Sequence, residues 1–189
     1  MRLFAEDGYA GTSIARIEAE AGLAPGSGGL YKHFRSKEAV LEAGVRARIE
    51  APHDVTGLLA QLDPGGDTRA ALRAVAAAGL GRLESESDLN RILVRDLAAF
   101  PELLAAFRDG ELLRLHGLLA DAIRRLAPQH PDPAAVAAVA ISAVSHHWLL
   151  GTVFGENPLG LSDERFLDAL AELVSRTIDP PDNHHGGPR

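Results

Sequence analysis

The chain of 189 residues has no cysteine, which removes disulfides, thiolate nucleophiles and cysteine-ligated zinc from its possible chemistry. Aromatic residues are few, 5% of the total with one tryptophan and two tyrosines, so each one at a patterned position carries information. Lysine is scarcer still: Lys32 and Lys37 are the only two, and both fall within GSGGLYKHFRSKE, residues 26–38. There is no strand-like alternation and no internal repeat. No Ser-His-Asp signature, no His-Glu-x-x-His spacing and no phosphate-binding loop occurs, so an enzyme is not expected and no cofactor is implied. The glycines at 26, 28 and 29 follow no strand and lack a Gly-Lys-Ser/Thr ending, so they do not form a nucleotide cradle.

Hydrophobic residues make up 46% of the chain, enough for a real core. The opening MRLFAEDGYAG has acids at Glu6 and Asp7 and no apolar run, unlike a signal peptide, and a cytoplasmic protein is expected. Charge is divided unevenly. Residues 1–50 hold seven Lys/Arg and seven Asp/Glu, whereas residues 51–189 hold twelve and nineteen, so the net −7 lies in the second part. A phosphate-facing patch is therefore local, in the acid-free run 32–37. Residues 134–154 carry no formal charge over a membrane-spanning length, but Ser142, Ser145 and His146-His147 interrupt them and no basic residues flank them. A packing helix is the expectation there, with no membrane partner.

The periodicity is helical almost throughout. A first helix ends near Gly8. Thr12-Ser13 offers a cap for a second over residues 13–21, with Ile14, Ile17 and Ala21 on its buried face, and Gly22 closes it. A short third helix spans 28–34. Ser36 caps a fourth, ended by Pro52. Helices follow at 58–62, 68–84, 89–99, 103–126 (with Gly110 a weak point), 133–154 and 162–178, and the tail 180–189 is expected to be disordered.

Two short capped helices joined through a glycine-bearing turn make a helix-turn-helix. Its third helix would enter the groove, while free amides at helix starts and the hydroxyls of Thr12, Ser13 and Ser36 meet phosphate oxygens. Lys37, in the first turn of the fourth helix, is unfavourable against the helix dipole unless an anion sits there. Read singly, Tyr31 is a packing residue and Lys32-Arg35-Lys37 a solvated face; the constellation points to DNA. The stretch GYAGTSIARIEAEAGLAPGSGGLYKHFRSKEAVLEA resembles the DNA-binding domain of the tetracycline-repressor (TetR) family. The match runs through Phe4, Gly8-Tyr9, Thr12-Ser13-Ile14, Ala21-Gly22, Leu30-Tyr31, His33-Phe34 and Ser36-Lys37, covering residues 1–48. The step from Ala21-Gly22 to Tyr31 is two residues longer than in the family pattern, and the first helix is shorter.

The resemblance implies an all-α protein. A three-helix helix-turn-helix DNA-binding domain would occupy residues 1–50, and a helical effector-binding and dimerisation domain residues 51–179. It implies that Thr12, Ser13, Tyr31 and Lys37 hold phosphates, and that Pro25, Ser27, Gly28, Gly29, Lys32 and His33 supply base-edge or groove contacts. It further implies a bacterial homodimer, a transcriptional repressor on a pseudo-palindromic operator, released by a largely apolar small-molecule effector. Candidate effector contacts are Arg91, Phe100, Phe107, His116, His147 and Trp148. Candidate dimer contacts are Val136, Val139, Ala143, Phe154, Phe166, Leu170 and Leu173, from the last two helices. Adjacent His146 and His147 point about 100° apart on a helix, so no metal site is expected there. The competing reading is an all-helical interaction module that has lost DNA binding, with a small helical enzyme behind it.

Overall fold

In the computed structural model, which describes residues 1–51 and 54–178, every regular element among the described residues is helical. Pro52 as a helix stop and the tail 180–189 lie outside the described residues. The α-helices are α1 (Arg2–Gly11), α2 (Ile14–Glu20), α3 (Lys37–Ile49), α4 (Asp54–Ala60), α5 (Thr68–Ser85), α6 (Ser87–Arg95), α7 (Pro101–Phe107), α8 (Leu113–Leu126), α9 (Pro133–Phe154) and α10 (Asp163–Ile178). Short 3-10 turns stand at Gly29–Lys32 and Leu97–Ala99, and a π-helical turn at Arg108–Leu112 joins α7 to α8.

The chain forms two compact units. The first comprises Met1–Pro52 with Ser85–Arg114, and the second His53–Glu84 with Leu115–Arg189. In the first, Phe4 and Ala5 of α1 and Leu41 and Val45 of α3 share a core with Leu89, Ile92, Leu97 and Leu103. In the second, Leu72, Val75, Leu119, Ile123, Ala137, Val144, Leu170 and Val174 anchor the core.

Capping residues fall where their chemistry requires. Ser13 Oγ accepts from Arg16 N, Ser36 Oγ from Ala39 N, and Asp132 Oδ1 from Ala135 N at the start of α9. α1 is broken at Gly8, whose φ of 78° leaves the helical region, and one further turn follows. Three expectations are corrected. The third helix over 28–34 is only the four-residue 3-10 turn Gly29–Lys32. The helix over 103–126 begins earlier, at Pro101, and is divided by the π-helical turn around Gly110. On α2, Ile14 and Ile17 are half-buried, Ala21 is exposed, and Glu18 is fully buried instead.

α9 is apolar all round, with mean hydropathy 1.5 over its best window, and is the one helix among the described residues long and apolar enough to cross a membrane. One side enters the second core through Ala137, Val144 and His147. Val139, Val153 and Phe154 remain 63–67% exposed.

Candidate nucleic-acid interface

The reading head is built on α1, α2, the Gly29–Lys32 turn and α3. Its tip is exposed: Pro25, Ser27, Tyr31, Lys32 and His33 all face solvent, and Tyr31 keeps 56% of its surface. Gly28 adopts φ 74° as the residue preceding the turn. That left-handed conformation is strained for any residue with a side chain, although an added Cβ would meet nothing nearer than Tyr31 Cδ2 at 3.9 Å. Gly29 lies against Leu23 and Ser27 Oγ, each 3.4 Å from where its Cβ would stand. Ser27 Oγ accepts from Gly29 N at 3.3 Å, leaving its hydroxyl proton outward-directed chemistry to perform.

Two of the expected phosphate contacts have internal duties. Thr12 is 1% exposed, and its hydroxyl lies 2.7 Å from Gly8 O and 3.0 Å from Leu3 O, so its one proton is shared between helix carbonyls. Thr12 thus clasps the end of α1 and is withdrawn from the surface. Lys37 Nζ donates to Tyr9 O at 2.7 Å and Thr12 O at 2.9 Å, and stands 4.3 Å from the Tyr9 ring centroid. A cation in the first turn of α3 is unfavourable to α3 itself. The last carbonyls of α1 offset that, being the negative end of another helix. One of the three ammonium N–H groups remains for an anion.

Tyr9 is the hub of this unit. Its ring stacks on Phe4 at 6.0 Å and meets Phe100 edge-on at 4.7 Å. Its amide faces Asp96 Oδ2 at 3.4 Å, and the neighbouring Arg95 donates to Phe4 O at 2.5 Å. Burial first, and Glu38 second, hold the Tyr9 phenol above the ordinary tyrosine range. At the outer face Arg2 donates to Glu6 and Glu20, holding the Glu20 carboxyl below its usual value.

The residues that reasoning from sequence missed are Tyr9 as hub and Glu18 as buried anchor. Glu18 accepts from Gly26 N at 2.6 Å and Leu30 N at 3.2 Å. The available signal was a carboxylate at 18, four residues after Ile14 on the apolar side of α2, beside a glycine loop rich in free amides.

The six candidate effector residues divide between the two units, Arg91, Phe100 and Phe107 in the first and His116, His147 and Trp148 in the second. Phe100 and Phe107 pack on the first core and Arg91 is exposed on α6. His116 is half-buried on α8. His147 and Trp148 line a common cavity of about 520 Å³ within the second unit. Its other walls include Leu80, Glu84, Thr152, Glu156, Asn157, Leu161 and Asp163. His147, 6% exposed, stacks on Phe166 at 4.1 Å and contacts Asp163 Oδ1 through Nε2 at 2.8 Å. Asn157 Oδ1 accepts from Leu159 N, so its amide nitrogen, 3.1 Å from His147 Nδ1, is the donor there. The imidazole therefore accepts at Nδ1 and donates from Nε2 to Asp163. Among the described residues no group of three or more metal-ligating side chains occurs.

The candidate dimer residues divide by burial. Val136, Ala143 and Phe166 pack on the second core and Leu170 lies within it, whereas Val139, Phe154 and Leu173 are exposed.

An all-helical chain whose first unit presents a capped helix-turn-helix with an exposed tyrosine, lysine and histidine defines a helix-turn-helix regulator. Residues 1–43 match the model for "Bacterial regulatory proteins, tetR family", so the DNA-binding head of the first unit is similar to that of this family. The fold is similar to a TetR-family transcriptional regulator from Pectobacterium atrosepticum, at 26% identity and TM-score 0.58, covering 94% of this chain and 88% of that one. It is also similar to a transcriptional regulator from Rhodococcus sp. Rha1, at 21% identity and TM-score 0.66, covering 93% and 91%. A third is the transcriptional regulator FadR from Bacillus subtilis in complex with stearoyl-CoA, at 16% identity and TM-score 0.62, covering 94% and 93%. No curated protein sequence matches the chain.

Proposed function

We propose that the protein is a dimeric, ligand-responsive repressor acting in the cytoplasm, which binds a pseudo-palindromic operator and is released by a small molecule. The observation that carries the reading is the exposed tip of the first unit. Tyr31, Lys32 and His33 stand together on and beside the 3-10 turn, and Lys37, held on the last carbonyls of α1, keeps one N–H for an anion. Ser13, Tyr31 and Lys37 hold phosphates; Pro25, Ser27, Lys32 and His33 meet the groove, with Gly28 and Gly29 allowing close approach. Thr12 serves from within. DNA binding is assigned to residues 1–50, braced by 85–114 in the same unit; effector binding and dimerisation are assigned to the remainder of 51–179.

Dimerisation through α9 and α10 is supported by the apolar surface left uncovered on them: Val139, Val153, Phe154 and Leu173, each 63–67% exposed. The effector reading rests on the cavity between α5, α9 and the segment leading to α10. Among the described residues its walls carry Glu84, Glu156 and Asp163 and neither Lys nor Arg. An anionic ligand of the kind bound by the Bacillus FadR would meet carboxylates here. The expectation of a largely apolar effector gives way to an amphiphile. Its cationic or donor-rich end would face the carboxylates, and its apolar body Trp148, Leu80 and Leu161.

The test is enrichment of random-sequence duplexes on the full-length protein, followed by titration of the enriched duplex. A paired half-site bound by two chains, released by a cationic amphiphile in preference to an acyl-CoA, supports the whole reading. Absence of any enriched sequence favours the interaction module, and release by acyl-CoA overturns the effector assignment.

A further inference from the structure

The geometry points to Glu18 as the positioning residue that sets the shape of the DNA-reading tip, so that base specificity depends on a carboxylate that never touches DNA. This rests on the proposed DNA contacts of the first unit. Glu18 sits in the middle of α2, where an acid ordinarily faces water, yet it has no exposed surface. A buried carboxylate is tolerated only where donors replace its hydration. The donors are the amides of Gly26 and Leu30, at 2.6 and 3.2 Å. Both bonds are charge-assisted, and both cross from α2 to the loop.

The placement of those two amides matters more than their number. Gly26 and Leu30 bracket Ser27, Gly28 and Gly29, so one carboxylate pins both ends of the tip. Gly26 and Gly28 hold φ of 73° and 74°, conformations among which glycine moves freely when nothing restrains it. Leu30 N lies at the start of the 3-10 turn, where an amide has no partner within its own turn. Glu18 takes that donor, so it is not offered to phosphate and the tip must read through side chains. Tyr31, Lys32 and His33 follow directly from the pinned Leu30. Without the anchor the tip becomes an ensemble, of which a fraction presents Ser27, Lys32 and His33 in register with the bases. Phosphate contacts from Ser13 and Lys37 stand outside the bracket and are retained.

The full-length protein is first used to enrich an operator from random duplexes. Binding of the enriched and of an unrelated duplex is then measured over a salt series for wild type, Glu18→Gln and Gly26→Ala. Gln keeps the shape of the side chain but turns an NH2 group toward an N–H donor. Gly26→Ala perturbs the other partner from the exposed side, where an added Cβ meets no atom within 4 Å and only the φ is strained. Each variant is expected to lower the enriched-to-unrelated affinity ratio tenfold or more with an unchanged salt slope on the unrelated duplex. In the double variant the losses should not multiply. Hydrogen exchange at Gly26 and Leu30 should accelerate in Glu18→Gln while α9 amides keep their protection. A wild-type ratio in Gly26→Ala, or in a folded Glu18→Gln whose two amides have lost protection, overturns the proposal. So does unprotected exchange at Gly26 in the wild type. If the wild-type protein enriches no duplex, it is the DNA-binding reading that fails.

Discussion

Replacing Lys37 by methionine keeps the stem and removes the ammonium, and it separates an internal clamp from a phosphate contact. In the structure Nζ donates to Tyr9 O at 2.7 Å and Thr12 O at 2.9 Å, with the Tyr9 ring centroid at 4.3 Å. Hydrogen bonds to a charged group contribute about 1.5–3 kcal/mol each. Lys37 is half-buried, so the lower end applies, and desolvation of the ammonium offsets part of the gain. A cation over the half-buried Tyr9 ring adds about 1 kcal/mol. The net loss should be about 2 kcal/mol, a fall in Tm of roughly 4–8 °C for a chain of this size. The third N–H makes a second, separable demand. If it meets phosphate in each half of a dimer, the slope of log affinity against log salt should become shallower by about 1.8. Thermal unfolding and fluorescence anisotropy over a salt series measure the two effects on the same sample. A variant as stable as wild type with a shallower slope refutes the clamp, leaving Lys37 a free surface cation.

Thr12→Val should cost about 1–2 kcal/mol in urea unfolding, because two helix carbonyls lose a buried donor, and should leave the salt slope of DNA binding unchanged. Leu173→Arg, on the exposed side of α10, should yield a folded monomer by sedimentation velocity; a dimer of unchanged stability counts against the α9–α10 interface. Trp148→Ala should weaken binding of a cationic amphiphile at least tenfold by calorimetry while sparing operator affinity in its absence.

How much of this was legible in the sequence varies from element to element. Ser13 and Ser36 cap as hydroxyl chemistry suggests, and the charge-free run of α9 has the expected bounds, 133–154. Periodicity identifies a helix but not which stripe meets its own core. Hence Leu170 is core and Leu173, nearly one turn on, is surface. α9 is apolar on every side, so no stripe stands out at all. Phe100 and Phe107 are candidate effector contacts from the architecture that the resemblance implies, with no motif of their own. They pack on the first core, and the partner that draws Phe100 there is Tyr9, 91 residues away in the chain. Leu30 and Phe34, at helical spacing, predict a helix over 28–34. The glycines before it and the pull of Glu18 on Gly26 and Leu30 shorten it to a 3-10 turn.

The interleaving of the two units limits what can be transplanted. The chain passes from one unit to the other at 52–53, 84–85 and 114–115, and half of the buried residues in the first core come from the returning segment. A fragment ending near residue 50 would present Phe4, Leu41 and Val45 to water where Leu89, Ile92, Leu97 and Leu103 should lie. The reading head is therefore not a cassette. A chimera that transplants this head must carry residues 85–114 along with the first fifty, or else graft only the tip between Gly26 and His33 together with Glu18.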